Sequence, residues 1–163
     1  MFRRKSTFIS SCPVNMILLA EDSPEDERLF KRVMRAARLG NPLTVVRNGT
    51  EAIAYLSGEG SFALRDLHPL PDVLFLDLKM PQVTGFDVLE WLRAQPELKE
   101  KLLVIVLSNF GDVHSVTRAY HLGADSFLSK PIRQQDFLNL VDHFPGRWLR
   151  PPLESPDLAP VAC

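Results

Sequence analysis

Cysteine is scarce in this sequence. Cys12 and Cys163 are the only cysteines among 163 residues, and neither belongs to a C-x-x-C pair or to a cysteine and histidine cluster with metal-ligand spacing. The sequence therefore gives no indication of a disulfide scaffold or of a zinc site.

Long apolar runs are missing as well. No run approaches the roughly 20 residues that span a bilayer. The apolar residues after the basic start are too few, and too interrupted by serine and threonine, to form a signal peptide. We therefore expect a cytoplasmic protein without membrane contact. Residues 1–13 are predicted to be an N-terminal extension, and either Met1 or Met16 fits the start of the chain.

The sequence also has no large excess of positive or negative charge, since it contains 19 basic and 20 acidic residues and its formal net charge is −1. This balance gives no electrostatic reason for sequence-independent binding to nucleic acid or to anionic membranes. The length favours one domain, which buries about 70% of the surface that its unfolded chain exposes.

Short apolar runs alternate five times with segments of helical periodicity. The first helix is predicted to start at Pro24, with Ser23 as its cap, and to stop at Gly40. Thr50 is predicted to cap the second helix. The predicted strands are residues 14–20, 43–47, 72–77, 102–108 and 125–129, and the later helices are residues 50–56, 85–94, 112–122 and 134–143.

These strands are apolar throughout rather than on every second residue, which is typical of a parallel sheet covered by helices on both faces. We therefore predict an α/β fold with a doubly wound, five-stranded parallel sheet. The folded domain is predicted to span residues 14–144, with a long loop at residues 57–71. Residues 145–163 are rich in proline and are predicted to form a tail.

Polar side chains follow four of the predicted strands. Because the carboxyl ends of parallel strands meet at one edge of a sheet, we expect these side chains to lie together. They are Glu21, Asp22, Asp77, Ser108 and Lys130.

Three carboxylates this close repel one another by roughly 4 kcal/mol per pair at the effective dielectric constant of a protein surface. A divalent cation removes the conflict, and oxygen ligands without histidine or cysteine favour Mg²⁺. Lys130 adds a positive charge and Ser108 a hydrogen-bond donor for an anion. The carboxyl edge of the predicted sheet is thus suited to hold a phosphoryl group.

With these strand-end residues, the sequence resembles the receiver domains of two-component response regulators. The resemblance covers about residues 16–144 and implies the flavodoxin-like (βα)5 fold with strand order 2-1-3-4-5. The matching segments are residues 17–24 (ILLAEDSP), residues 72–81 (DVLFLDLKMP) with Gly85, then Ser108, residues 123–125 (GAD), and Lys130-Pro131.

The resemblance implies that Asp77 accepts a phosphoryl group from a phosphohistidine of a sensor histidine kinase. Asp22, Asp77 and the backbone carbonyl of Lys79 would bind Mg²⁺, with Glu21 acting through a water molecule. Lys130 and Ser108 would contact the phosphoryl oxygens. Such a protein is not a turnover enzyme, since it catalyses only its own phosphorylation and dephosphorylation.

The family also suggests how the signal leaves the domain. Ser108 is coupled there to an aromatic residue three positions before the lysine, which is Phe127 in this sequence. Phe127 can be such a moving part or a plain core phenylalanine. Output would pass to an unknown partner protein through the face of the fourth helix, fifth strand and fifth helix, the face through which such proteins also form homodimers.

Lys79 lies two residues after Asp77, and Phe110 lies two residues after Ser108. In receiver domains, the residues at these two positions border the path of the attacking water. We expect both to tune the lifetime of the phosphorylated state. The loop at residues 57–71, the SPED start of the first helix and the lack of a DNA-binding output domain resemble the stand-alone receivers that accompany bacterial phytochrome kinases.

Two other classes of protein compete with this interpretation. A haloacid-dehalogenase-type phosphatase needs a second aspartate two residues after the first, where this sequence has Lys79. A phosphorylation-independent interaction module with the same fold stays open, because fold does not fix function. Such a module would normally lack Asp22, Asp77 or Lys130, and all three are present.

Overall fold

The apolar runs of this chain form a five-stranded parallel sheet. In the computed structural model, which describes residues 15–109 and 112–150, the sheet has the order β2-β1-β3-β4-β5. This confirms the predicted fold class and strand order. The strands are β1 (Ile17–Ala20), β2 (Leu43–Val46), β3 (Val73–Asp77), β4 (Leu103–Asn109) and β5 (Ser126–Lys130).

Six helices connect and cover the strands in the described residues. One of them, α4, was not predicted, because it buries none of its residues and so has no apolar period to detect. No helix among the described residues is long and apolar enough to cross a membrane. The helices are α1 (Pro24–Ala36), α2 (Gly49–Ser57), α3 (Gly85–Arg93), α4 (Pro96–Lys101), α5 (Val113–His121) and α6 (Gln134–His143).

Each face of the sheet has its own apolar core. Alternate residues of a strand point to opposite faces, so neighbours such as Leu18 and Leu19 belong to different cores. Helices α2, α3 and α5 cover one face, and α1 and α6 cover the other. Because both faces are buried, the strands need apolar residues at every position, which is the pattern that the sequence displays.

Two predicted helix ends are wrong by a few residues. Helix α2 starts at Gly49, because the side chain of Asn48, rather than Thr50, accepts the hydrogen bond from Glu51 N–H at 2.8 Å. Helix α1 ends at Ala36, before the predicted stop at Gly40. The residue with left-handed backbone after this helix is Arg38, which has a φ of 54°.

The connection from α2 to β3 is held by one arginine. The guanidinium of Arg65 donates to two carbonyl oxygens of the last turn of α2, those of Tyr55 at 2.7 Å and Leu56 at 2.8 Å. It also donates to the carbonyl of His68 at 3.2 Å. Ser57, predicted as the first residue of this loop, is the last residue of α2, and residues 58–72 are an anchored connection that contains a 3₁₀ turn at Gly60–Phe62.

The chain after α6 folds back onto the domain. Trp148 packs against Phe75 and Phe137, with ring centroids 6.3 and 6.5 Å away. Arg147 donates to the carbonyl of Lys101 at 2.9 Å, and Leu149 N–H donates to the side chain of Asn41 at 2.8 Å. Arg150 donates to Asp142 of α6 at 3.4 Å, so contacts with the domain continue six residues or more beyond the end of α6.

Candidate functional site

The predicted polar residues meet at the carboxyl edge of the sheet. Glu21 and Asp22 follow β1, Asp77 is the last residue of β3, and Lys130 is the last residue of β5. Ser108 lies in β4 between them, since β3 and β4 pair Asp77 with Leu107 and β4 and β5 pair Ser108 with Ser129. The parallel register therefore carries all five residues to one edge.

Three carboxylates form a close cluster at this edge. One oxygen each of Glu21, Asp22 and Asp77 lies within 4.8 Å of the others. Glu21 and Asp77 are buried, whereas Asp22 is exposed. Backbone N–H groups hold two of the carboxylates: Ser23 donates to Glu21 Oε1 and Lys79 donates to Asp77 Oδ1, both at 3.1 Å.

Lys130 provides the positive charge of the cluster. Its Nζ lies 2.6 Å from Glu21 Oε2 and 3.2 Å from Asp77 Oδ2. The contact with Glu21 is an ion pair without good hydrogen-bond angles, because Oε2 has no hydrogen-bond partner in the described residues. The ammonium group therefore joins the ends of β1, β3 and β5.

The structure adds Asp26, which the sequence did not assign to the site. Its Oδ2 lies 3.1 Å from Lys130 Nζ. Asp26 stands in the first turn of α1, where an acidic residue is also expected to complement the helix dipole. The local sequence explains Asp26 as a first-turn acid three residues after the Ser23 cap, and nothing in it indicates the contact with Lys130.

The burial of these charges perturbs their protonation. Burial raises the pKa of Glu21 to about 7, and the negative charge of Asp77 adds to this rise. Burial alone would lower the pKa of Lys130, but its contact with Glu21 and the charge of Asp77 outweigh that effect and raise the pKa above its ordinary value. Without a further cation, one carboxyl of the cluster is thus easily protonated.

Ser108 is buried beside this cluster. Its Oγ has no hydrogen-bond partner in the described part of the chain. An unpaired buried hydroxyl costs about 1–3 kcal/mol. The hydroxyl is therefore available to a group that binds at the end of β4.

Lys79 extends from the loop after β3 toward the start of α5. Its Nζ lies 3.7 Å from Asp112 Oδ2. The role of its backbone carbonyl as a metal ligand stays a prediction. Phe110, the other residue expected to tune the lifetime, lies outside the described residues.

Phe127 is not a core residue. It is 39% exposed, and its ring lies edge-to-face against Tyr120 with the centroids 6.2 Å apart. The plain-core interpretation is therefore wrong, whereas a role as a moving part stays a prediction. Tyr120 and Val113, both on α5, are exposed as well.

The donor set of the cluster fits a hard divalent cation. Four carboxylates lie at this edge, and Lys130 contacts three of them, those of Glu21, Asp26 and Asp77; the fourth belongs to Asp22. The buried Oε2 of Glu21 lacks a well-directed donor. Oxygen ligands and an excess of negative charge are what Mg²⁺ or Mn²⁺ requires.

Comparison with known proteins places this geometry in a family. The protein-family model of the response regulator receiver domain matches residues 17–142. Response regulator Rcp1 from Synechocystis sp. is 31% identical over 139 residues, which cover 85% of this chain and 92% of Rcp1. The crystal structure of the Mn²⁺-bound form of Rcp1 matches with a TM-score of 0.65 at 30% identity, covering 79% of this chain and 90% of the Rcp1 chain.

Two further solved structures are similar over most of the chain. The response regulator RPA3017, in red light signaling of R. palustris, has a TM-score of 0.73 at 29% identity and covers 85% of this chain and 99% of its own. The phosphorylated cyanobacterial phytochrome response regulator RcpA has a TM-score of 0.66 at 29% identity, and the match covers 79% of this chain and 89% of the RcpA chain. Together with the acidic edge, these matches show that the chain belongs to the family of response regulator receiver domains.

Proposed function

We propose that Asp77 accepts a phosphoryl group from a phosphohistidine of a sensor histidine kinase in the cytoplasm, in a reaction that needs Mg²⁺. The observation that carries the proposal is the environment of Asp77. Asp77 is the last residue of β3 and is 5% exposed, and its carboxylate contacts Lys130 Nζ at 3.2 Å and lies within 4.8 Å of the carboxylates of Glu21 and Asp22. Phosphorylation of an aspartate and dependence on Mg²⁺ are general to receiver domains.

The residues that would hold the metal are those of the acidic edge. Asp22, Asp77 and the backbone carbonyl of Lys79 would bind Mg²⁺ directly, and Glu21 would act through a water molecule. When bound, the metal supplies positive charge that neutralises the transferring phosphoryl oxygens. The Mn²⁺-bound form of Rcp1 supports a divalent cation in this family.

In the proposed transfer, a carboxylate oxygen of Asp77 attacks the phosphorus of the phosphohistidine. A phosphorus–oxygen bond forms, the phosphorus–nitrogen bond breaks, and the imidazole leaves and takes up a proton. Lys130 balances the charge on the phosphoryl oxygens, and the unpaired hydroxyl of Ser108 donates a hydrogen bond to one of them. Hydrolysis of the acyl phosphate then returns the protein to its starting state.

The added charge is proposed to change the face formed by α5, β5 and α6. Phosphorylation adds about 1.5 to 2 negative charges at Asp77, which draw Ser108 and Lys130 inward. Phe127 on β5 would follow Ser108. The exposed side chains of Val113, Tyr120 and Phe127 make this face suitable for a downstream protein or for a second copy of the chain.

The kinase partner is proposed to be a phytochrome. The support comes from the relatives, since RcpA is a cyanobacterial phytochrome response regulator and another similar structure, at 32% identity and a TM-score of 0.70, is the bacteriophytochrome response regulator AtBRR. A panel of purified histidine kinases labelled with phosphate tests this assignment. Fastest transfer from a non-phytochrome kinase would contradict it.

Acetyl phosphate as the phosphoryl donor tests the central proposal without a kinase. With Mg²⁺, the wild-type chain should gain the mass of one phosphoryl group, and Asp77→Asn should gain none. Asp66→Asn is the matched control, because Asp66 is exposed in the loop between α2 and β3. Equal labelling of wild type and Asp77→Asn, or labelling that is insensitive to EDTA, would instead favour a phosphorylation-independent interaction module.

A further inference from the structure

An ion pair connects the two loops beside the proposed phosphoacceptor. Lys79 lies two residues after Asp77 in the loop that follows β3, and Asp112 lies four residues after Ser108 in the loop that follows β4. The Nζ of Lys79 is 3.7 Å from Oδ2 of Asp112. Because β3 and β4 are neighbours, the Lys79 side chain spans the gap between their ends.

Asp112 is the fixed member of this pair. Its N–H donates to the carbonyl of Asn109 at 3.2 Å, and its carbonyl accepts from Val116 N–H at 3.2 Å. Its Oδ1 caps α5 by accepting from Ser115 N–H, also at 3.2 Å. Only Oδ2 is left to contact another element.

Lys79 is the movable member. Its side chain is 63% exposed, against 24% for Asp112. Its backbone N–H is held by Asp77 Oδ1 at 3.1 Å, so the side chain starts directly at the phosphoacceptor. A long, exposed lysine has many rotamers, and the fixed carboxylate of Asp112 selects among them those that reach across to α5.

We propose that Asp112 is a positioning residue that holds the Lys79 side chain across the edge above Asp77 and thereby hinders the approach of water to the acyl phosphate. This inference rests on the proposed function and deepens it. Without Asp112, the Lys79 side chain swings into solvent and water reaches the phosphorus more often. The lifetime of the phosphorylated state is therefore set in part by a residue on the loop after β4 that does not touch the phosphoryl group.

Decay of the acyl phosphate after removal of acetyl phosphate tests the inference. Asp112→Asn keeps the cap of α5, because the Asn side-chain oxygen accepts from Ser115 N–H, but it removes the charge. We expect its phosphoryl group to be lost about two- to five-fold faster than that of the wild type, a range that matches the coupling of an exposed ion pair. Phosphate-affinity gels over time give the rates.

Three comparisons separate positioning from a merely structural effect. Lys79→Gln should also speed decay, and adding Asp112→Asn to it should change nothing further, because the pair is already broken. Raising the salt from about 0.1 M to about 1 M should speed decay of the wild type but not of Asp112→Asn, since salt screens exposed charges. Glu90→Gln is the matched control: it breaks the exposed ion pair between Arg118 of α5 and Glu90 of α3 and should leave decay unchanged.

The outcomes distinguish this inference from the function on which it rests. If the wild type shows no Mg²⁺-dependent label on Asp77, the proposed function fails and the inference falls with it. If the label forms but Asp112→Asn decays at the wild-type rate, only the inference is overturned. An equal effect of Asp112→Asn in the wild-type and Lys79→Gln backgrounds would also overturn it.

Discussion

Replacing Asp77 by asparagine should make the metal-free protein more stable, although it removes the proposed phosphoacceptor. The change deletes one negative charge from a crowded cluster and keeps the shape of the side chain. Its oxygen can still accept the hydrogen bond from Lys79 N–H, which reaches Asp77 Oδ1 at 3.1 Å. The effect on stability is therefore mainly electrostatic.

The distances at the site give the magnitude. Two negative charges 4.8 Å apart repel by about 3.5 kcal/mol at an effective dielectric constant of about 20. Asp77 has two such neighbours, Glu21 and Asp22, and one attractive partner, Lys130 at 3.2 Å, which contributes about 5 kcal/mol. The two repulsions together exceed this attraction by about 2 kcal/mol. Partial screening of the exposed Asp22 lowers the net gain on neutralisation to about 1–2 kcal/mol.

Thermal unfolding with EDTA at about pH 8, above the pKa of about 7 for Glu21, should show the effect at its largest. We expect the Tm of Asp77→Asn to exceed that of the wild type by about 2–8 °C. Saturating Mg²⁺ should narrow or reverse the difference, since it binds the folded wild type more tightly. Asp66→Asn should not change the Tm. An Asp77→Asn variant that melts at or below the wild-type temperature in EDTA would refute the crowding of charges at this edge.

Two further predictions concern regions away from Asp77. The hydrogen bond from Lys31, together with the contact with Arg47, lowers the pKa of the buried Glu27. Its ionised form therefore stabilises the fold above the unfolded pKa of about 4.5, and this contribution is lost as the pH falls through the lower folded value. Glu27→Gln should lower the free energy of unfolding in urea by about 1 kcal/mol at about pH 7, and by less at about pH 3.5; the same difference at both pH values would contradict this. Trp148→Ala should lower the free energy of unfolding in urea by about 2–3 kcal/mol, because it removes the ring that packs against Phe75 and Phe137. Labelling by acetyl phosphate should persist in this variant. An unchanged free energy of unfolding would argue against that packing.

The sheet could be predicted from the sequence because its strands are buried on both faces. This environment requires apolar residues at every strand position, so the strands stand out even without alternation. Helix α4 could not be predicted in the same way, because it buries no residue. The cap of α2 was predicted two residues late for a different reason: Asn48 and Thr50 are both good caps, and local sequence does not decide between them.

The acidic edge was also predictable, since strand ends in a parallel sheet converge by topology. Asp26 was not, because its contact with Lys130 depends on how α1 packs above the sheet. The exposure of Phe127 likewise depends on which side of β5 the neighbouring helices leave open. Arg65 was missed because its partners are backbone carbonyls, which leave no trace in the side-chain pattern.

The edge of the sheet opposite the acidic cluster limits how far the chain can be shortened for expression or tagging. The buried side chain of Asn41 donates to the carbonyls of Asn15 at 2.6 Å and Arg147 at 3.1 Å. Leu149 N–H donates to the same side chain. A truncated chain that begins at Met16 would lose the Asn15 carbonyl, and one that stops at Phe144 would lose the contacts with Arg147 and Leu149. A buried polar atom of Asn41 that is left unpaired costs about 1–3 kcal/mol. Affinity tags therefore belong before Asn15 and after Arg150, so that the two ends of the domain keep their shared asparagine.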